Sequence, residues 1–130
     1  MLLHLIGGFA LRFIFPRATS KHRSRMFVGF ADAVQPGSSS YFTTPDGEEY
    51  VLTNTGGAAP FQAYSSRCPH LGCRVHWERD QNRYYCPCHG GAFDQSGTAT
   101  AGPPAQAGQR LKACEIEQDG KSLYAIVEVA

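Results

Sequence analysis

Two short segments hold most of the side chains able to do unusual chemistry. Cys68-Pro69-His70-Leu71-Gly72-Cys73 and Cys86-Pro87-Cys88-His89-Gly90-Gly91 contain four of the five cysteines and two of the five histidines. Each presents one Cys and one His, as C-x-H and as C-x-x-H, together with one further Cys. Each is rich in Gly and Pro, so its backbone can wrap closely around something. Thiolate and imidazole are the donors that soft and borderline metal ions prefer. Two loops with matching donor sets therefore point to a metal centre held by two Cys and two His. A structural zinc finger pairs C-x(2–4)-C with H-x(3–5)-H, and the mixed Cys/His loops here do not follow that spacing. Zinc and a simple disulfide pair stay as the alternatives on donor type alone. His76 and Trp77 fall on a strand pattern and are read as packing residues, His4 and His22 lie outside the two segments, and Cys114 is read as a buried free thiol.

The elements that must position these loops are strands. With 130 residues, 42% hydrophobic and 18% charged, the composition is that of one globular domain, and it excludes collagen-like, coiled-coil and wholly disordered chains. Fourteen Gly and eight Pro forecast many turns. Met26–Phe30 is expected to be the first strand. Tyr41–Thr44 and Tyr50–Asn54 form a hairpin around Pro45-Asp46-Gly47, because Asp-Gly supplies the positive φ of a tight turn. Phe61–Ser65, Arg74–Glu78, Arg83–Tyr85, Leu111–Glu117 and Leu123–Val129 complete the set, the last pair joined at Gln118-Asp119-Gly120-Lys121. No stretch after residue 31 has a 3.6-residue apolar period. The expectation is a small all-β antiparallel sandwich or barrel over residues 26–130.

The N-terminus is different. Met1 to Phe15 is apolar except for His4 and Arg12, and fifteen helical residues rise about 22 Å, less than the roughly 30 Å of a bilayer's hydrocarbon core. Without a basic first region or an A-x-A-like site it does not resemble a cleaved secretory signal. Residues 1–17 are read as a helix, with three assignments open: part of a membrane anchor that begins upstream, a partner-bound or interfacial helix, or a helix packed on its own domain. Residues 18–25 read as a polar basic linker. Arg12, Arg17, Lys21, Arg23 and Arg25, with no acid among the first 31 residues, give that end +5, while seven basic residues and eleven acids leave −4 on the remainder. A basic leash on an acidic body excludes a nucleic-acid binder, whose basic patch belongs on the folded domain. A basic run outside the cytoplasm would also go against the positive-inside rule.

C-x-H-x-x-C, twelve residues, then C-x-C-H-G resembles the Rieske proteins of cytochrome bc complexes, which carry a [2Fe–2S] cluster with two His replacing two Cys on one iron. The resemblance is carried by residues 60–104 and implies a cluster-binding part at about 66–104. It implies that Cys68 and Cys86 ligate the inner iron and that His70 and His89 ligate the outer one. It further implies a Cys73–Cys88 disulfide, against the rival reading of two free buried thiols. Such a bridge would contribute about 3 kcal/mol in the chain-entropy model and would mark an oxidising compartment. Gly102-Pro103-Pro104 resembles the proline loop that shields the cluster, and Leu71 would line the docking surface.

Two positions depart from the high-potential members of that family, which have Ser after the second His-Gly and Tyr two residues later. Gly91 and Phe93 stand there, so both hydroxyl donors to the sulfurs are missing. A potential in the low or middle part of the roughly −150 to +300 mV Rieske range is expected, which favours menaquinol. The implied function is an electron-transfer subunit that takes an electron and a proton from quinol at His89. It would work with cytochrome b and a c-type cytochrome in a membrane complex, its cluster domain on the periplasmic side. The alternatives are a peripheral Rieske carrier and an arsenite-oxidase-like small subunit. Ring-hydroxylating oxygenases generally lack the disulfide pair and need a further iron domain.

Overall fold

A computed structural model describes residues 7–8, 10–12, 14–15 and 19–130. Residues 7–8, 10–12 and 14 are helical, and Leu11, Ile14 and Phe15 are exposed. The remaining residues of the expected 1–17 helix lie outside the described set. Among the described residues no helix is long and apolar enough to cross a membrane.

From His22 onward the chain forms three antiparallel sheets. β1 (His22–Phe30) pairs with β11 (Ser122–Val129), which pairs with β10 (Ile116–Asp119). The second sheet has the order β2 (Ser39–Thr43), β3 (Glu49–Asn54), β4 (Phe61–Ser65), β9 (Ala113–Cys114). The third runs β5 (His76–Glu78), β6 (Arg83–Cys86), β7 (Gly91–Phe93), β8 (Ala99–Ala101), and a one-turn helix, α1 (Gly102–Gln106), follows it.

β3 is the divider. Its run Tyr50-Val51-Leu52-Thr53-Asn54 is buried throughout, as expected of a strand covered on both faces. Val51 points into a core with Val75, Trp77, Tyr84, Phe93, Leu111 and the two ligand-type cysteines Cys68 and Cys86. Tyr50 and Leu52 point the other way, onto Val34, Ala63 and Leu123 of a second core. The first core joins the third sheet to the second, and the other core joins the second sheet to the first. Trp77 donates its indole N–H to the Gly37 carbonyl at 3.0 Å, so this large ring is buried without an orphaned donor.

Four differences from the sequence reading have local causes. The first strand begins at His22, because His22↔Val129 to Met26↔Ala125 continue the ladder through residues that looked like linker. The polarity of His22–Arg25 belongs to an edge strand with an exposed face. Leu111–Glu117 is not one strand: the chain leaves the second sheet after Cys114 and enters the first at Ile116. β7 and β8 are three residues each, too short for alternation to reveal. Gly102-Pro103-Pro104 is the start of a helical turn, with both prolines in its first positions, where a missing N–H costs nothing.

Candidate metal centre

Each Cys/His segment is a loop tied at its neck. In the first, which joins β4 to β5, Cys68 N–H donates to Cys73 O at 2.8 Å and Gly72 N–H to Cys68 O at 2.8 Å. Below them Val75 N–H donates to Ser66 O at 2.6 Å and Arg67 bridges Arg74. Gly72 has φ +77°, which closes this turn at a position where a side chain would strain it. The second loop spans residues 87–90 and is closed by the Cys86↔Gly91 pair. A disulfide between Cys73 and Cys88, with Cα atoms 6.5 Å apart, joins the two loops.

Cys68 and Cys86 are free and almost fully buried, at 4% and 2% exposure, whereas His89 is exposed and His70 half-exposed. The two imidazoles face each other edge to face with centroids 5.3 Å apart. The Cys68 thiol lies against that of Cys86. Burial, then this neighbour, pushes its pKa up, while the backbone N–H groups of His70 and Leu71 directed at the sulfur oppose the rise. The same N–H groups would support a metal-bound thiolate, and metal binding displaces the proton that burial holds on. The Cys86 sulfur lies within 4.8 Å of both disulfide sulfurs. Because those two are bonded to each other, the donors left are two buried sulfurs and two outer imidazoles. That division suits a two-iron cluster with one iron held by Cys and the other by His.

The remaining expected residues surround this set. Leu71 projects from the tip of the first loop, 67% exposed. Gly91 and Phe93 are buried on β7, and α1 packs over the second loop. His76 and Trp77 sit on β5, Trp77 within the core that also holds Cys68 and Cys86, and Cys114 is a free, half-buried thiol.

Sequence reasoning missed the supports. Glu49 on β3 accepts from Arg74 Nε at 3.0 Å and from Ser66 Oγ at 2.8 Å, which fastens both sides of the first loop's neck. Arg74 also covers the Tyr41 ring, 4.3 Å from its centroid. Tyr84, fully buried, donates to Thr53 Oγ1 at 3.0 Å and accepts from Gln62 Nε2 at 3.0 Å. Burial pushes its pKa up to about 12. Gln109 donates to the Pro69 carbonyl at 3.4 Å, linking the segment after α1 to the first loop. Only the spacing of the donor residues marks the site in the sequence, and none of these partners lies within that pattern.

Residues 24–118 match the family of the Rieske [2Fe-2S] domain. The chain is 36% identical, over 84% of its own length and 59% of the relative's, to the cytochrome b6-f complex iron-sulfur subunit of Chlorobaculum thiosulfatiphilum. It is 34% identical to the subunit of that name from Chlorobaculum tepidum, over 89% of this chain and 62% of the relative. It thus spans about three fifths of these relatives. Among solved structures, the cyanobacterial plasma membrane Rieske protein PetC3 from Synechocystis PCC 6803 superposes with a TM-score of 0.68 at 25% identity, covering 77% of this chain and 97% of that one.

Proposed function

The chain belongs to the Rieske [2Fe-2S] domain family, and on that premise we propose that it is the iron–sulfur subunit of a quinol-oxidising cytochrome bc-type complex. The observation that carries this reading is the pairing of two buried thiols with two outward imidazoles across a disulfide-joined pair of loops. In it, Cys68 and Cys86 would hold one iron of the cluster, and His70 and His89 would hold the other. A bound cluster supplies reversible one-electron chemistry at the outer end of the domain.

The protein's own residues do the rest. His89, the more exposed imidazole, accepts a hydrogen bond from a quinol hydroxyl at Nε2 and takes that proton as one electron leaves the quinol. Leu71 presents an apolar tip to the cytochrome b pocket, and α1 with its prolines covers the second loop from behind. The partner cytochrome b would take the quinol's second electron, and the second proton would leave through groups of that partner. The head domain then delivers its own electron to a c-type cytochrome, swinging on the segment before β1, a gating movement. Gly91 and Phe93 supply no hydroxyl to the cluster sulfurs, which supports a low or middle potential and menaquinol as donor. The apolar N-terminal segment supports membrane attachment, with the head on the periplasmic side, where the disulfide persists.

Purification from native membranes tests the reading. The chain is expected to copurify with b-type haem and to give a Rieske EPR signal on reduction, and His89→Ala is expected to abolish that signal. A chain that washes free of membranes without haem would instead be a peripheral carrier.

A further inference from the structure

Three glycines meet where α1 covers the second loop, and they are glycines for different reasons. Gly90 has φ +70°, and a Cβ at that position would meet nothing within 4 Å, so its backbone alone demands glycine. Gly102 has φ +74°, and a Cβ there would also lie 2.8 Å from the Gly90 carbonyl oxygen. Gly91 is not among the positive-φ residues, so no left-handed backbone conformation demands glycine there. The obstacle is volume. A Cβ on Gly91 would come 3.2 Å from Pro104 Cγ, 3.5 Å from its Cδ and 3.6 Å from Cys86 Cβ.

Pro104 is poorly placed to yield. Its side chain is fully buried, and its carbonyl accepts from Gln109 N–H at 2.9 Å. The helical turn that carries it is seated on the second loop through the close approach of Gly102 to Gly90. Buried positions with a ring on one side and a ligand-type cysteine on the other resist even one added carbon.

We propose that Gly91 and Pro104 are a matched pair, in which the proline ring fills the volume that a side chain at position 91 would need and so keeps a hydroxyl donor away from the second loop. The inference rests on the iron–sulfur reading and deepens its lower-potential part. The missing hydroxyl at 91 is favoured from another element, because a side chain there requires the buried Pro104 ring to give by a few tenths of an ångström. Pro104 is thus a positioning residue that sets the cluster's surroundings through Gly91.

The test is a double-mutant cycle on the full, cluster-loaded chain, comparing the parent, Gly91→Ser, Pro104→Ala and the double variant, with Gly91→Ala as a probe of volume alone. Three quantities are read: cluster per chain, the thermal midpoint at which the visible absorption is lost, and the reduction potential. Gly91→Ser and Gly91→Ala in the parent background are expected to lower loading and to drop the midpoint by about 4 °C or more. With Pro104→Ala present, either change should be tolerated, and the potential should rise in Gly91→Ser/Pro104→Ala relative to Pro104→Ala. The proposal is overturned by losses of equal size in both backgrounds. It is equally overturned if Gly91→Ser alone reaches the double variant's potential at parental stability, or if Pro104→Ala fails to recover loading. A parental potential at the top of the Rieske range would sink the lower-potential reading. It would leave the matched pair standing, because the cycle compares stabilities.

Discussion

Phe93 is completely buried, lies opposite Tyr84 across the β6–β7 ladder and shares a core with both free cysteines of the centre. A phenol in its place would bring a hydroxyl into the apolar surroundings of those sulfurs, where a hydrogen bond favours the more negative, reduced state. A bond to a charged acceptor contributes about 1.5 kcal/mol, which is about 60 mV for a one-electron couple. Phe93→Tyr is therefore expected to raise the potential by about that amount with the EPR line shape preserved. An unchanged potential in a fully loaded variant would remove hydroxyl donation at this position as a determinant. Tyr84 predicts a different kind of effect. Its hydroxyl is buried between Thr53 Oγ1 and Gln62 Nε2, so Tyr84→Phe leaves a buried Thr53 oxygen without its donor. The cost is about 1–3 kcal/mol of stability, with little change in potential, measurable by chemical unfolding.

At the level of elements, the first loop hangs from β3 by Glu49. Its carboxyl is held below the ordinary glutamate value of 4.5, first by the hydrogen bond from Arg74 and then by that from Ser66. A carboxylate with a depressed folded-state pKa contributes stability that is fully present above its unfolded value and is lost as pH falls through the folded one. The thermal midpoint of the parent should thus decline as pH drops from about 5 toward 3, in part through this tie. Glu49→Gln should begin lower, by about 1 kcal/mol because the ion pair is partly exposed, and should fall less steeply over that window. A parallel pH profile in the variant would show that the tie does not hold the loop. The strands with alternation or full burial, such as β3, β4 and β11, were legible in the sequence, as were the two Cys/His loops that the Cys73–Cys88 disulfide joins. The supports were not. Glu49, Arg74 and Ser66 are separated by up to 25 residues and meet only because β3 and β4 pair. β7 and β8 depend on partners and carry no period of their own. His22–Arg25 looked like linker because an edge strand with one solvated face needs few apolar residues.

For the whole molecule, the charge asymmetry of the sequence becomes a seam. The basic N-terminal run pairs antiparallel with β11, and its side chains reach Glu128 on that strand and, across it, acids on or just before β10. Lys21 reaches Glu128 at 3.9 Å, Arg23 pairs with Glu115, and Arg25 lies 3.3 Å from both Glu117 and Asp119 while covering the Tyr124 ring. All these pairs are well exposed, so each contributes about 0–1 kcal/mol and is screened by salt. The second half of β1 is held differently: Val28 packs on the core that contains Leu123 and Leu52. β1 should therefore have a salt-labile first half and a salt-resistant second half, with the boundary near Met26. Hydrogen exchange measures this directly. Amides of residues 22–25 are expected to exchange faster as ionic strength rises from about 0.05 to 0.5 M, where screening shortens to a few ångströms, while the amides of residues 27–30 that bond to β11 stay protected. Glu115→Gln combined with Asp119→Asn should reproduce the fast exchange at low salt. Uniform protection along β1 at every ionic strength would mean that backbone pairing alone fixes where the folded domain begins. A salt-dependent boundary would mean that β1 shortens by four residues, about 13 Å of strand, when the seam opens.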